Sequence, residues 1–154
     1  MLFNYILGLQ SVDKENIRIN NREAVRAIIL RKDKVLMVHT KKGDYKFPGG
    51  GLNKEESHEE ALKREVREET GYIISNVKDK LGEIIERKLD EYEENSVFQM
   101  ISHYYLCEVY NETTYQQLDE YEVELDFQAI WVQLDKVIKL NEEIIAKDDK
   151  NKNP

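Results

Sequence analysis

The segment Arg64-Glu65-Val66-Arg67-Glu68-Glu69-Thr70-Gly71 holds the side chains best suited to chemistry, the carboxylates of Glu65, Glu68 and Glu69. Their separations of three and four residues place them on one side of a helix. At about 100° per residue, with Glu65 at zero, Glu69 falls near ~40° and Glu68 near ~300°. The apolar Ala61, Leu62 and Val66 fall near ~320°, ~60° and ~100°, while Lys63, Arg67 and Glu60 occupy the far side at roughly 160–220°. The acids therefore lie beside the residues that must face the body of the protein. Like charges there repel one another and lose hydration unless something cationic compensates. Arginine partners are one remedy. The other is a divalent cation, since carboxylate oxygens completed by substrate phosphates are the ligands that Mg²⁺ or Mn²⁺ prefers. A solvated helix laced with Arg–Glu pairs is the competing reading of the same string.

Several elements must position these acids. The run Glu55–Thr70 lacks Gly and Pro and reads as the helix, with Gly71 closing its end. Before it, Pro48-Gly49-Gly50-Gly51 demands a sharp turn. Ala24–Leu30 and Val35–His39 flank the polar Arg31-Lys32-Asp33-Lys34, a hairpin signature, and Lys41–Asp44 reads as a loop. Two long β segments, 73–87 and 97–110, follow the helix, then a loop at 111–118 and a strand at 127–132. Asp135 is expected to cap a last helix that ends near Ala146. This order makes a mixed α/β arrangement but leaves the strand order open.

Composition bounds the function. The chain has 154 residues, a net charge of -8 and 35% charged residues. The acidic balance argues against long nucleic acid as a partner. No apolar run approaches the roughly 18 residues of a membrane-spanning helix. The apolar residues 1–9 lack a basic leader and a cleavage site and read as structure. Cys107 is the only cysteine, which excludes an intrachain disulfide, suits a cytoplasmic location, and reads as a buried structural thiol. His39, His58 and His103 show no metal-ligand spacing, and His58 reads as a surface residue of the helix.

Read from Gly50, the chain gives Gly50, five residues, Glu56, seven residues, then Arg64-Glu65-Val66-Arg67-Glu68-Glu69-Thr70-Gly71-Tyr72. This resembles the signature box of the Nudix hydrolase (MutT-like) family at every fixed position. Only Tyr72 departs, standing where the pattern has an aliphatic residue. Phe47-Pro48-Gly49-Gly50 also resembles the segment that precedes the box.

The resemblance implies an α/β Nudix fold, a mixed β-sheet sandwiched between helices, with a Trp-bearing strand such as Ile130-Trp131-Val132 before the last helix. Residues 1–147 are then a single domain and 148–154 a charged, frayed tail. It implies that Glu65, Glu68 and Glu69 bind Mg²⁺ or Mn²⁺, with the carbonyl of Gly49 as an extra ligand. Arg64 would orient a neighbouring carboxylate such as Glu56 through a bidentate pair. The general base would be Glu65 or one of the three glutamates of the stretch 119–124, with Glu122 and Glu120 ranked above Glu124. Arg26 and Lys41 are candidates to meet substrate phosphates, and Tyr45 and Phe47 to stack a base.

The implied reaction is hydrolysis of a phosphoanhydride in a nucleoside diphosphate linked to another group. Glu86 and Lys88 hold neither the Pro nor the Tyr that marks family members acting on ADP-ribose or dinucleoside polyphosphates. The reading therefore leans to a nucleoside triphosphate or a modified nucleotide as the small-molecule partner, and a homodimer is compatible with it. The alternatives are a non-catalytic nucleotide-sensing module, which the complete set of box acids opposes, and an RNA 5′-pyrophosphohydrolase, which the acidic balance opposes.

Overall fold

A computed structural model describes residues 1–10, 12 and 17–152, the stretch 147–152 by its backbone alone. The strands are β1 (Phe3–Gly8), β2 (Arg18–Arg31), β3 (Lys34–His39), β4 (Tyr45–Lys46), β5 (Gly49–Gly51), β6 (Tyr72–Leu89), β7 (Ser96–Thr113) and β8 (Gln128–Gln133). The helices are α1 (His58–Thr70), α2 (Glu120–Glu124) and α3 (Leu134–Lys152). The sheet runs β1-β6-β7-β2-β3-β4, with β5 added to β2 and β8 to β3. It is mixed: β1 pairs with β6 and β2 with β7 in parallel, while β6–β7, β2–β3, β2–β5 and β3–β8 are antiparallel.

The run Val35-Leu36-Met37-Val38 is apolar without alternation because β3 is covered on both faces. Leu36 joins Val25, Ala27, Ile29 and Cys107 against Ala61, Leu62 and Val66 of α1. Val35 and Met37 point the other way, to Tyr45, Val132 and Val137 of α3. Val38 packs with Leu125 and Phe127, which follow α2. Burial in the first cluster pushes the Cys107 thiol up to about 12, as suits an inert structural cysteine.

Several boundaries differ from the sequence expectation, each for a local reason. Helix α1 begins at His58 rather than Glu55. Ser57 is its N-cap, accepting a hydrogen bond from the amide of Glu60 at 3.1 Å, and Glu55 has φ 65°, outside the helical region. Helix α3 already includes Leu134, so Asp135 sits in its first turn, where its charge still favours the helix dipole. The same helix continues to Lys152 instead of ending near Ala146, so most of the expected tail is helical; residues 153 and 154 lie outside the described residues. Strand β7 extends to Thr113, into the segment expected as a loop. The acidic stretch before β8 is not an open loop, because Asp119 and Glu122 form a reciprocal capping box that starts α2. No helix among the described residues is long and apolar enough to cross a membrane.

Candidate active site

The site begins with a glycine turn that lets the backbone approach a helix. Gly49 has φ 151°, and a Cβ there would lie 2.0 Å from the carbonyl oxygen of Val25. Only glycine allows β5 to pair with β2 at that point. Gly50 follows, and a Cβ there would lie 2.7 Å from the Glu65 carboxylate carbon. The turn is thus pressed against the acids of α1. Gly71 closes the helix, its amide bonded to the carbonyl of Arg67.

Arg64 organises the polar face. Its Nε and Nη2 donate to the two oxygens of Glu56 at 2.7 and 2.8 Å, a bidentate pair. Its Nη1 donates to Glu65 at 2.8 Å and to Glu68 at 3.4 Å, and Nη2 also donates to the carbonyl of Gly51 at 3.0 Å. The Arg64 guanidinium holds the Glu56 carboxyl down to about 2, and Glu56 in turn raises the pKa of Arg64. Glu65 and Glu69 behave in the opposite sense. Burial raises the pKa of Glu65, against the pull of Arg64. Burial pushes Glu69 up to about 9, only partly offset by the Gly49 amide, which donates to its Oε2 at 3.2 Å, and by the charge of Arg26. Glu69 is 5% exposed and has no ion-pair partner among the described residues.

That buried carboxyl group, without an ion-pair partner among the described residues, is the observation that tests the fit of a metal ion. Glu65, Glu68 and Glu69 line one cavity of 410 Å³ with Gly49, Gly50, Gly51 and Arg64. The Gly49 carbonyl accepts from Arg26 Nη1 at 3.1 Å, which leaves its second lone pair for another partner. An all-oxygen, strongly negative donor set of this kind fits Mg²⁺ or Mn²⁺. Glu122 enters the same cavity from α2, and its charge adds to the raised pKa of both Glu65 and Glu69.

Residues 20–151 match the family described as the NUDIX domain. The chain belongs to the Nudix family. An ADP-ribose pyrophosphatase of Methanocaldococcus jannaschii is 36% identical to it over 81 residues, 50% of this chain and 47% of that protein. The matched stretch thus spans about half the length of this curated relative. Among solved structures, a MutT NUDIX hydrolase from Burkholderia pseudomallei aligns with a TM-score of 0.56 at 21% identity, covering 75% of this chain and 85% of that one. A NUDIX hydrolase from Nitrosomonas europaea gives 0.54 at 20% identity, covering 80% and 79%. Both likenesses bear on the fold, which is the α/β Nudix fold with its mixed sheet between helices.

The Nudix box and the glycine turn before it therefore bring together Glu65, Glu68, Glu69, Arg64, Glu56 and the Gly49 carbonyl. Glu122 joins them, whereas Glu120 and Glu124 do not line the cavity. Arg26 also lines it, though its Nη1 is engaged by the carbonyls of Phe47 and Gly49. Lys41 stands apart, its amide bonded to the carbonyl of Leu125. Tyr45 is buried in the α3 cluster, and Phe47 meets Tyr104 edge to face at 5.9 Å. Those two line a neighbouring cavity of 520 Å³, which shares Arg26 and Lys46 with the first. Lys46, Gln117, Asp119, Tyr121 and Phe127 were not foreseen as cavity residues, and no spacing in the sequence marks them.

The reading of His58 as a surface residue needs correction. It is half-buried, with its Nδ1 2.7 Å from the Tyr105 hydroxyl and its ring 4.4 Å from that of His103. Sequence spacing misses this because the contact joins α1 to β7 across the fold.

The fit between Gly50 and Glu65 gives a specific expectation. Gly50→Ala forces the end of a flexible side chain to move rather than the backbone, so the fold survives while Glu65 is displaced. A displacement of about 1 Å costs on the order of 10²-fold in rate. Steady-state turnover beside a circular dichroism melt checks this; unchanged turnover would mean that Glu65 has room to spare.

Proposed function

We propose that this chain is a metal-dependent hydrolase of a phosphoanhydride bond in a nucleoside diphosphate linked to another group. The observation that carries the reading is the convergence of Glu65, Glu68, Glu69 and Glu122 on one cavity, with Glu69 buried and without an ion-pair partner among the described residues. A bound Mg²⁺ or Mn²⁺ would neutralise phosphate charge and lower the pKa of an attacking water. Arg64 fixes the carboxylates of Glu65 and Glu68, so that they need not reorganise as charge develops. Glu122, which lines the same cavity from α2, would take the proton of the water, with Glu65 as the second candidate base. The adjoining cavity, walled by Tyr45, Phe47, Tyr104 and α3, is where the rest of the substrate would lie, with Arg26 and Lys46 beside the phosphates.

The preferred substrate is a nucleoside triphosphate or a modified nucleotide. Glu86, which lines the second cavity, and the adjacent stretch lack the residues that mark ADP-ribose-type members. A second reading, ADP-ribose, is favoured by the name of the M. jannaschii relative. The deciding experiment is turnover of triphosphates, modified nucleotides, ADP-ribose, dinucleotides and 5′-triphosphorylated RNA with Mg²⁺ or Mn²⁺. Highest kcat/KM on a mononucleotide triphosphate or modified nucleotide is expected. Tight binding without turnover of any compound would instead identify a nucleotide sensor.

A further inference from the structure

A second polar cluster lies where the start of α1 meets the sheet, and none of its residues lines the carboxylate cavity. Glu23 of β2, His58 of α1 and His103 of β7 each present one ligand-type atom within 4.8 Å of the other two. The His103 side chain is only 7% exposed, and its Nε2 lies 3.0 Å from Glu23 Oε1. Its Nδ1 is fully buried and has no hydrogen-bond partner, although Glu83 Oε1 is 3.4 Å away. A neutral ring that donates its Nε2 proton to Glu23 turns a bare lone pair towards the Glu83 carboxylate, which is unfavourable.

A cation on Nε2 removes that conflict. The ring proton then sits on Nδ1 and is aimed at Glu83, the carboxylate–histidine–metal arrangement that orients metal-bound imidazoles. Lys80, 2.5 Å from the same Glu83 oxygen, keeps that carboxylate charged. On the other ring, the Tyr105 hydroxyl holds His58 Nδ1 and leaves Nε2 for an ion. Burial, and after it the charge of His103, hold the pKa of His58 below its ordinary value, which favours the neutral, ligating form.

We propose that Glu23, His58 and His103 form a second cation site, separate from the carboxylate cavity and selective for a borderline transition metal, Zn²⁺ in the first instance. Two imidazoles and one carboxylate are a zinc-type set with one position left for water, and they suit Mg²⁺ poorly. Glu23 is half-exposed, so the site opens to solvent. Its backbone carbonyl accepts from the amide of Leu52, which places the site at the root of the loop that leads into α1. An ion there would fasten the N-terminus of the helix to two strands.

The test is equilibrium dialysis of the full chain against Zn²⁺, with excess Mg²⁺ present to occupy the carboxylate site. One Zn²⁺ per chain is expected. His58→Gln should bind at least about 100-fold more weakly, while Glu69→Gln should retain the ion. Co²⁺ in its place should give the visible absorption of a four-coordinate imidazole site, and Zn²⁺ should raise the Tm of the unaltered protein but not of His58→Gln. Equal binding by the unaltered protein and His58→Gln, no zinc retained against Mg²⁺, or loss of zinc in Glu69→Gln would each overturn the proposal. The first two outcomes would leave the His103 ring, set between Glu23 and Glu83, as a structural bridge between β2 and β6. Should His58→Gln prove unfolded without metal, Glu23→Gln, altered at a half-exposed side chain, carries the same comparison.

Discussion

Glu69→Gln is expected to lower turnover by about 10²–10³-fold, the loss of roughly 3–4 kcal/mol of transition-state stabilisation, without lowering the stability of the metal-free protein. The two halves of that result come from the same geometry. Glu69 is 5% exposed and bonded by one amide, that of Gly49, and that bond survives because the Gln side chain keeps an acceptor oxygen. In the absence of a cation, burial raises the Glu69 pKa to about 9, so the folded chain must keep that carboxyl protonated, a cost that an uncharged isostere does not carry. With Mg²⁺ present the carboxylate form would be the ligand and could not be spared. The check is a pair of measurements on one preparation: kcat as a function of Mg²⁺ concentration, and a thermal melt in chelator. Turnover like that of the unaltered protein would sink the assignment of Glu69 as a ligand, and a large fall in the chelator melt would show that its role is structural.

Arg64→Ala should be the most damaging single change to both stability and rate. Arg64 joins Glu56, Glu65, Glu68 and the Gly51 carbonyl, so its loss leaves three partly buried acids without their common cation. Removing one partner from such a network costs about 3 kcal/mol or more. Arg64→Lys should recover less than half of that, because an ammonium cannot reproduce the two-pronged bond to Glu56. The pH dependence follows from Glu56, whose carboxyl is held at about 2 against an ordinary value of 4.5. A folded-state pKa below the unfolded one contributes stability that is complete above the unfolded value and fades as pH falls towards the folded one. Urea denaturation should therefore separate the unaltered protein from Arg64→Ala widely near about pH 7 and much less near about pH 3. A gap that does not narrow in acid would remove Glu56 from the account.

The ease with which the box is read has a physical origin. Arg64 reaches Glu56, Glu65, Glu68 and Gly51 within thirteen residues of itself, so their spacing survives as a pattern in the string. The burial of Glu69 was legible for the same reason, since helix periodicity alone sets it beside Leu62 and Val66. The second cavity gathers residues from Arg26 to Ile145 through sheet pairing and the docking of α3, and no local period records that. Tyr45 illustrates the limit. Its type suggests stacking on a base, but that it packs from β4 into the α3 cluster while walling the second cavity follows from sheet pairing and not from its type. The nearness of His103 to Glu23 and His58 leaves no period in the string, because it comes from the parallel pairing of β2 with β7, which sets Val25 opposite His103, and from the docking of α1.

The segment between β7 and α2 carries Glu122 into the cavity, and it is tied to the far end of α1. Thr114 donates its amide to the Gly71 carbonyl at 2.7 Å, Gln117 donates its amide to the Glu68 carbonyl at 2.7 Å, and the Gln116 side chain donates to the Glu69 carbonyl at 2.6 Å. The acid opposite the box is thus moored to the backbone of two of the residues it faces. A surface connection of this kind would ordinarily exchange its amide protons freely, but Thr114 and Gln117 should exchange only when α1 itself unravels at its C-terminal turn. The wall bearing Glu122 would then keep time with the helix rather than with the solvent, and on the proposed function the distance between the two sets of carboxylates would be held as substrate arrives and product departs.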